Sequence, residues 1–247
     1  RTGTIKGIFI FKKSIKLIMS DNDVSYYYKE ALATDSFTVH NNFLNMLLKD
    51  GSALGMERHY CYFKDSKNAD LKRILGNGFL KRGKEGVLFL EEKLKTETDA
   101  LAKSNVIHLI GLSYNKEYLP YILPYLDDAD NEIRYKAIIA CGWLGDAEAI
   151  KILKEHYATE KDALLRGFIV SAMRQIFFRH KETKQQIVDF IYVKMPEETY
   201  NELLAIMIVV LQDLTKVKFG LKEDSCSGEI SGDIAKAKDK VLKKIKK

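Results

Sequence analysis

The feature that most constrains the fold is an internal period of 31–33 residues through the middle of the 247-residue chain. Asp130 and Asp162 stand 32 apart, as do Arg134 and Arg166, Ala140 and Ala172, and Leu144 and Ile176. Going forward, Ala205 lies 33 beyond Ala172 and Ile208 lies 32 beyond Ile176. Going back, Leu112 lies 32 before Leu144, while Asp99 and Lys103 lie 31 before Asp130 and Arg134. A period of this size marks stacked units, each burying its apolar face only against its neighbours. A single central core would leave no reason for the same letters to return at equal steps.

Each unit reads as two helices. Residues 147–157 place Ala149, Ile150, Leu153 and Tyr157 on one face. A polar turn follows, Asp162 serves as N-cap, and residues 163–177 form the second helix. The same pairing is predicted for 84–95 with 99–112, for 117–126 with 131–144, and for 183–194 with 196–214. Pro120 is tolerable near a helix start, Pro124 is expected to kink its helix, and Pro196 sits at a helix-starting position. Ala140, Ala172 and Ala205 fall mid-helix at equal phase, where a small side chain lets neighbouring helices approach closely.

Leu126-x-Asp128-x-Asp130-x-x-Ile133-Arg134-x-x-Ala137-x-x-Ala140-x-x-x-Leu144-Gly145-Asp146-x-Glu148-Ala149-Ile150 resembles a HEAT repeat, and it is most similar to the short type of phycobilisome lyases. The next unit keeps Asp162, Arg166, Ala172 and Ile176 but lacks the Leu-Gly-Asp ending. Units at 84–112 and 183–214 match by phase more than by letters, so the resemblance covers 84–214. It implies an all-α fold, a right-handed α-α superhelix. Asp99, Asp130, Arg134, Asp162 and Arg166 are expected to form a structural ladder, with Asp at the cap and a base four residues on along the same face.

The flanks carry less signal. Residues 1–18 hold five bases and no acid, and Met19 opens a polar start; 1–18 is expected to be an extension, with 19–247 a single solenoid domain. Residues 23–33 and 37–49 read as helices covering the first repeat, with Tyr26, Tyr27 and Tyr28 on the first of them. Residues 66–83 look like the second helix of a degenerate unit, and 55–65 are ambiguous. Residues 222–232 read as a flexible polar stretch before an amphipathic capping helix at 233–245.

The net charge of +6 is not spread evenly. Residues 19–215 carry 25 bases against 29 acids, and the basic excess sits at the two ends. That argues against nucleic acid as a partner, because a phosphate-binding body needs the opposite arrangement. The longest stretch without Asp, Glu, Lys or Arg, Ser36–Leu48, is too short to span a membrane. Three widely spaced cysteines, Cys61, Cys141 and Cys226, predict reduced thiols in a cytoplasmic protein.

Chemical motifs fail on inspection. Gly78-Phe-Leu-Lys-Arg-Gly83-Lys84-Glu85 nearly spells a phosphate loop, but Glu85 stands where Ser or Thr should meet magnesium, and the preceding residues look helical. His59 and Cys61 have no second ligand pair at metal-binding spacing. No catalytic, cofactor or metal residue is expected. Trp143 and His108 read as packed side chains on second helices.

The expected function is a non-catalytic scaffold or adaptor that holds another protein through the solenoid surface. The residues expected to face that partner are Lys103, Arg134, Tyr135, Ile138, Arg166 and Arg174, all on predicted second helices. The resemblance also implies two other readings: a HEAT-like DNA-repair glycosylase acting on alkylated bases, and a lyase or chaperone of the phycobilisome type.

Overall fold

The computed structural model describes residues 21–245, so the expected extension at 1–18 lies outside the described residues. The described chain divides into two compact units, residues 21–78 and 79–245.

The first unit is built from α1 (Asp21–Leu32), α2 (Phe37–Leu48), α3 (Ala53–Asp65) and most of α4 (Ala69–Lys81). Phe43, Leu44, Leu47, Phe63, Leu71 and Leu75 form its core. Two buried histidines tie its loops and helices together through backbone oxygens. Nε2 of His40 lies 3.0 Å from the Ala31 carbonyl and 2.8 Å from that of Thr34. Nε2 of His59 lies 2.9 Å from the Leu75 carbonyl. The ambiguous stretch at 55–65 is helical because Ser52 caps it, accepting from the Gly55 amide at 3.0 Å.

The second unit is a row of helix pairs. It contains α5 (Lys84–Thr96), α6 (Ala100–Gly111), α7 (Leu119–Ile122), α8 (Asn131–Leu144), α9 (Ala147–Thr159), α10 (Ala163–Arg179), α11 (Lys184–Lys194) and α12 (Asn201–Thr215). A hairpin of two-residue strands, β1 (Lys222–Glu223) and β2 (Ile230–Ser231), leads to α13 (Ile234–Ile245). The second helices pack in succession, α6 on α8, α8 on α10 and α10 on α12. α5, α9 and α11 lie against their own second helices, and α13 closes on α12. This is an all-α solenoid, the fold class expected from the period.

The close approach of second helices rests on small residues. A Cβ on Gly111 would lie 2.9 Å from Cβ of Ala140, and one on Gly142 would lie 3.0 Å from Cα of Ala172. Ala140 and Ala172 thus each face a glycine of the preceding second helix, whereas Ala205 does not.

Three segments differ from the sequence reading. The helix expected at 117–126 is broken into 3-10 turns at Lys116–Tyr118 and Leu123–Asp127 around α7, since Pro120 and Pro124 each remove an amide donor. The helix expected from Pro196 begins instead at Asn201. The Glu198 carboxylate accepts from the amides of Thr199 and Tyr200 at 2.9 and 2.8 Å, which turns the chain before the helix can start. The stretch at 222–232 is an ordered hairpin. Its turn is set by Asp224, which accepts from the amides of Cys226 and Ser227, and by Gly228 at a φ of 74°.

Candidate functional site

The second helices of the solenoid carry two arrangements of cations. One lies at their N-terminal turns. Asp99 caps α6 through the Ala102 amide at 2.7 Å. Asp130 caps α8 through Glu132 and Ile133, and Asp162 caps α10 through Leu164 and Leu165, both pairs at 2.8 and 3.1 Å. An acid two residues earlier accepts from the cap residue's own amide: Glu97 to Asp99, Asp128 to Asp130, Glu160 to Asp162, and Glu198 to Tyr200. The sequence reading missed this second acid, although Glu97, Asp128 and Glu160 repeat at the same period.

The arginines close the ladder. Nη1 of Arg134 donates to the carbonyls of Asp128 and Ala129, and Nη1 of Arg166 repeats this on Glu160 and Lys161. Each also reaches into the next repeat. Nε of Arg134 lies 2.8 Å from Glu160, and Nη2 of Arg166 lies 3.6 Å from Glu198. Burial would raise the Glu160 carboxyl, but the Arg134 guanidinium and the Asp162 amide outweigh it and hold the group below the usual carboxylate range. Two further groups complete this cluster, His156 at 3.7 Å from Glu160 and Asp127 at 3.3 Å from His156. Arg174 is likewise engaged, 3.0 Å from Asp213 and 2.7 Å from Glu223 of the hairpin.

Of the residues expected to meet a partner, Ile138 therefore needs correction. It is fully buried, because Ile133, Ala137, Ile138 and Cys141 form the inward side of α8. Arg134, Arg166 and Arg174 are held by carboxylates or carbonyls of their own chain. Tyr135 is half-buried on the outward side, and Lys103 is half-buried at the ladder phase of Arg134.

That outward side is the second arrangement. It holds two groups of contacts, one between α10 and α8 and one between α6 and α8. The Phe168 ring lies 4.6 Å from that of Tyr135, and the Lys136 ammonium lies 4.8 Å over Tyr135. Burial first, and Lys136 second, keep the His108 imidazole below its ordinary pKa. His108 packs edge-on against Trp143 at 5.2 Å, and Trp143 lies 6.1 Å from Tyr114. Tyr114 is 61% exposed and sits at a φ of 51°, a left-handed conformation uncommon for a bulky residue. Arg179 lies close enough to Tyr114 to interact with it electrostatically. It donates to the carbonyls of Gly142 and Gly145 at 2.8 and 2.9 Å. Lys103 contacts the Tyr125 ring at 6.0 Å.

The segment from Gly78 to Glu85 runs from the last turn of α4 into α5 with no strand before it, so it does not form a phosphate loop. Among the described residues, no group of three or more His, Cys, Asp or Glu side chains is arranged to hold a metal ion, and no helix is long and apolar enough to cross a membrane. Burial pushes the Cys141 thiol up to about 12, which keeps it protonated. An open cleft beyond α12 is lined by Gln212, Lys216, Val217 and Leu221. Gln212 is spent on the loop there, accepting from Phe219 and Gly220 and donating to Leu221.

No curated protein matches the chain. An engineered protein, whose crystal structure comes from the Northeast Structural Genomics Consortium, is similar at a TM-score of 0.43 and 17% identity, over 79% of this chain and 97% of that one. Residues 87–174 match the model of the family described as HEAT repeats, and this stretch of the chain, from α5 through most of α10, is a run of HEAT repeats.

Proposed function

We propose that this protein is a non-catalytic scaffold that binds another protein through the outward side of its second helices. HEAT repeats are in general protein-interaction modules, and the second helices from α6 to α12 pack in an unbroken row. The observation that carries the reading is two aromatic groups on the second helices, Phe168 with Tyr135 and His108 with Trp143 and Tyr114. Aromatic side chains left half-buried or exposed on consecutive repeats are what a protein interface uses as anchors. The glycosylase reading would need a basic stripe through Arg134, Arg166 and Arg174, and those three are neutralised within the chain.

The test is reconstitution. The full chain is immobilised, retained proteins are identified by mass spectrometry, and each is purified and titrated back by calorimetry. A saturable complex of fixed stoichiometry from two purified components is expected. If no retained protein rebinds after purification, the scaffold reading is wrong.

A further inference from the structure

The cleft beyond α12 gathers positive charge that its own chain does not answer. Its volume is about 400 Å³, within the range of small-ligand sites. Lys216, Lys218 and Lys222 line it above the apolar Val217 and Leu221. All three lysines are exposed, and none forms an ion pair with a carboxylate among the described residues. A fourth cation reaches the same loop from α13. Nζ of Lys240 donates to the Phe219 carbonyl at 3.1 Å and lies 3.3 Å from where a Cβ on Gly220 would stand. The acid that lines the cleft, Asp213, is held by Arg174, which also holds Glu223.

The backbone adds a donor. The Asp224 amide donates to Glu229 at 2.8 Å, while Lys222 and Glu223 stand opposite Ser231 and Ile230. Bonded pairs alternate along an antiparallel ladder, so this register turns the Leu221 amide and carbonyl away from β2. The carbonyl meets Nε2 of Gln212 at 3.0 Å. The amide belongs to a residue only 5% exposed and has no acceptor among the described residues. Such a group is costly to bury alone, and a bound anion would satisfy it. We propose that this cleft binds a small organic phosphate, a phosphate monoester on an apolar or ring-shaped body. The phosphate sits among Lys216, Lys218 and Lys222 and accepts from the Leu221 amide; the body rests on Val217 and Leu221. Lysine ammoniums act as point charges on a multiply charged tetrahedral group, whereas a planar carboxylate is better matched by a guanidinium. The exposed Asp224 and Glu229 follow Lys222 in the hairpin, which disfavours an extended nucleic-acid backbone over a compact ligand. This site and the scaffold reading do not depend on each other.

The full chain is titrated with phenyl phosphate, with phenylacetate as a ring on a single carboxylate, and with inorganic phosphate. Two further arms use phosphatidylcholine vesicles containing a phosphatidylinositol phosphate, and a short oligo-dT. Affinity is read by calorimetry and the contact by amide NMR. Phenyl phosphate is expected to bind roughly tenfold tighter than phenylacetate, to weaken with salt and to shift the Leu221 amide at saturation. Lys218→Gln with Lys222→Gln should weaken it roughly tenfold. Lys216→Gln alone, with a loss of about threefold, serves if that pair disturbs the hairpin. Lys236→Gln with Lys244→Gln makes the same change of net charge on α13 as the cleft pair and should leave the affinity within about twofold.

Equal affinity for phenyl phosphate and phenylacetate overturns the proposal. So does an unmoved Leu221 amide at saturation, or an equal loss in the α13 control. Inorganic phosphate binding as tightly as phenyl phosphate removes the organic body and the proposal with it. Oligo-dT that binds tighter than phenyl phosphate, and loses that binding with Lys218 and Lys222, would make the cleft a nucleic-acid contact instead. Vesicle binding that phenyl phosphate displaces and the same two substitutions abolish supports the site and places its phosphate on a lipid headgroup. Binding of phenyl phosphate with none to the vesicles supports it with a free ligand.

Discussion

The N-terminal turns of the second helices and the outward strip along the same helices use the same kinds of side chain to opposite ends. Arg134 and Lys136 stand two residues apart on α8. The first is 15% exposed and holds Glu160 of the next repeat together with two carbonyls of its own turn. The second lies over a tyrosine ring and shares a carboxylate that is open to water. Charge at a ladder position joins repeats, whereas charge on the strip remains available to something else. A cation's role in a solenoid is therefore decided by what the neighbouring repeat offers it.

The comparison breaks most visibly at the ladder. Arg134→Met strips Glu160 of its main counter-charge while the carboxylate stays buried, which should cost about 3 kcal/mol in a urea melt. Adding Glu160→Leu should recover much of this, because the buried charge goes too. If Arg134→Met instead costs as little as Lys136→Gln, the two positions are equivalent and the distinction fails. The acid limb carries a second signature. The Glu160 carboxyl is held below its ordinary 4.5, so the unfolded chain binds the proton first. Its contribution to stability is fully present above that value and is lost as pH falls through the lower folded value. Glu160→Gln should flatten that part of the stability profile.

Gly142→Ala tests whether the helices themselves set the spacing between repeats. Its Cβ would come within 3.0 Å of the Ala172 backbone, which cannot swing aside as a side chain could. An overpacking cost of about 2 kcal/mol is expected, read as a lowered melting temperature. Asp162→Ala removes the cap of α10 and should cost about 1 kcal/mol. It leaves Glu160 and Arg134 in place, so the loss belongs to the helix end and to the long 3.4 Å bond from Asn131.

How much of this was legible depended on how local each cause was. The helix pairs and the caps at Asp99, Asp130 and Asp162 were readable because the signal and the contact lie within a few residues. The equal-phase alanines were readable because they repeat. The targets of the arginines were not. Glu160 lies 26 residues beyond Arg134, and only folding shows that it is buried there. Ile138 was misplaced for a related reason. α8 buries residues on more than one side because it packs on both α6 and α10, so its outward side is narrow. Tyr114 gave no signal, since a left-handed tyrosine after a helix looks in sequence like any loop residue. The hairpin was hidden too, because Glu223 finds Arg174 from 49 residues away.

The smallest expected effect sharpens the comparison from the side of the strip. Burial first and the nearby Lys136 ammonium second depress the His108 imidazole. Lys136→Gln removes the second cause and leaves the first, so the His108 titration followed by NMR should move upward yet stay below its ordinary 6.5. A histidine depressed in the folded state makes stability fall as pH drops below the unfolded value, because the unfolded chain takes up the proton more readily. With Lys136→Gln that fall should become shallower between neutral pH and the folded pKa, while stability at neutral pH changes by no more than about 0.5 kcal/mol. Arg134→Met should leave the His108 titration unmoved, since the side chain of Arg134 is turned toward the ladder. A shift of His108 in that variant would mean that ladder and strip are electrically one region, and the division between joining charge and presented charge would have to be given up.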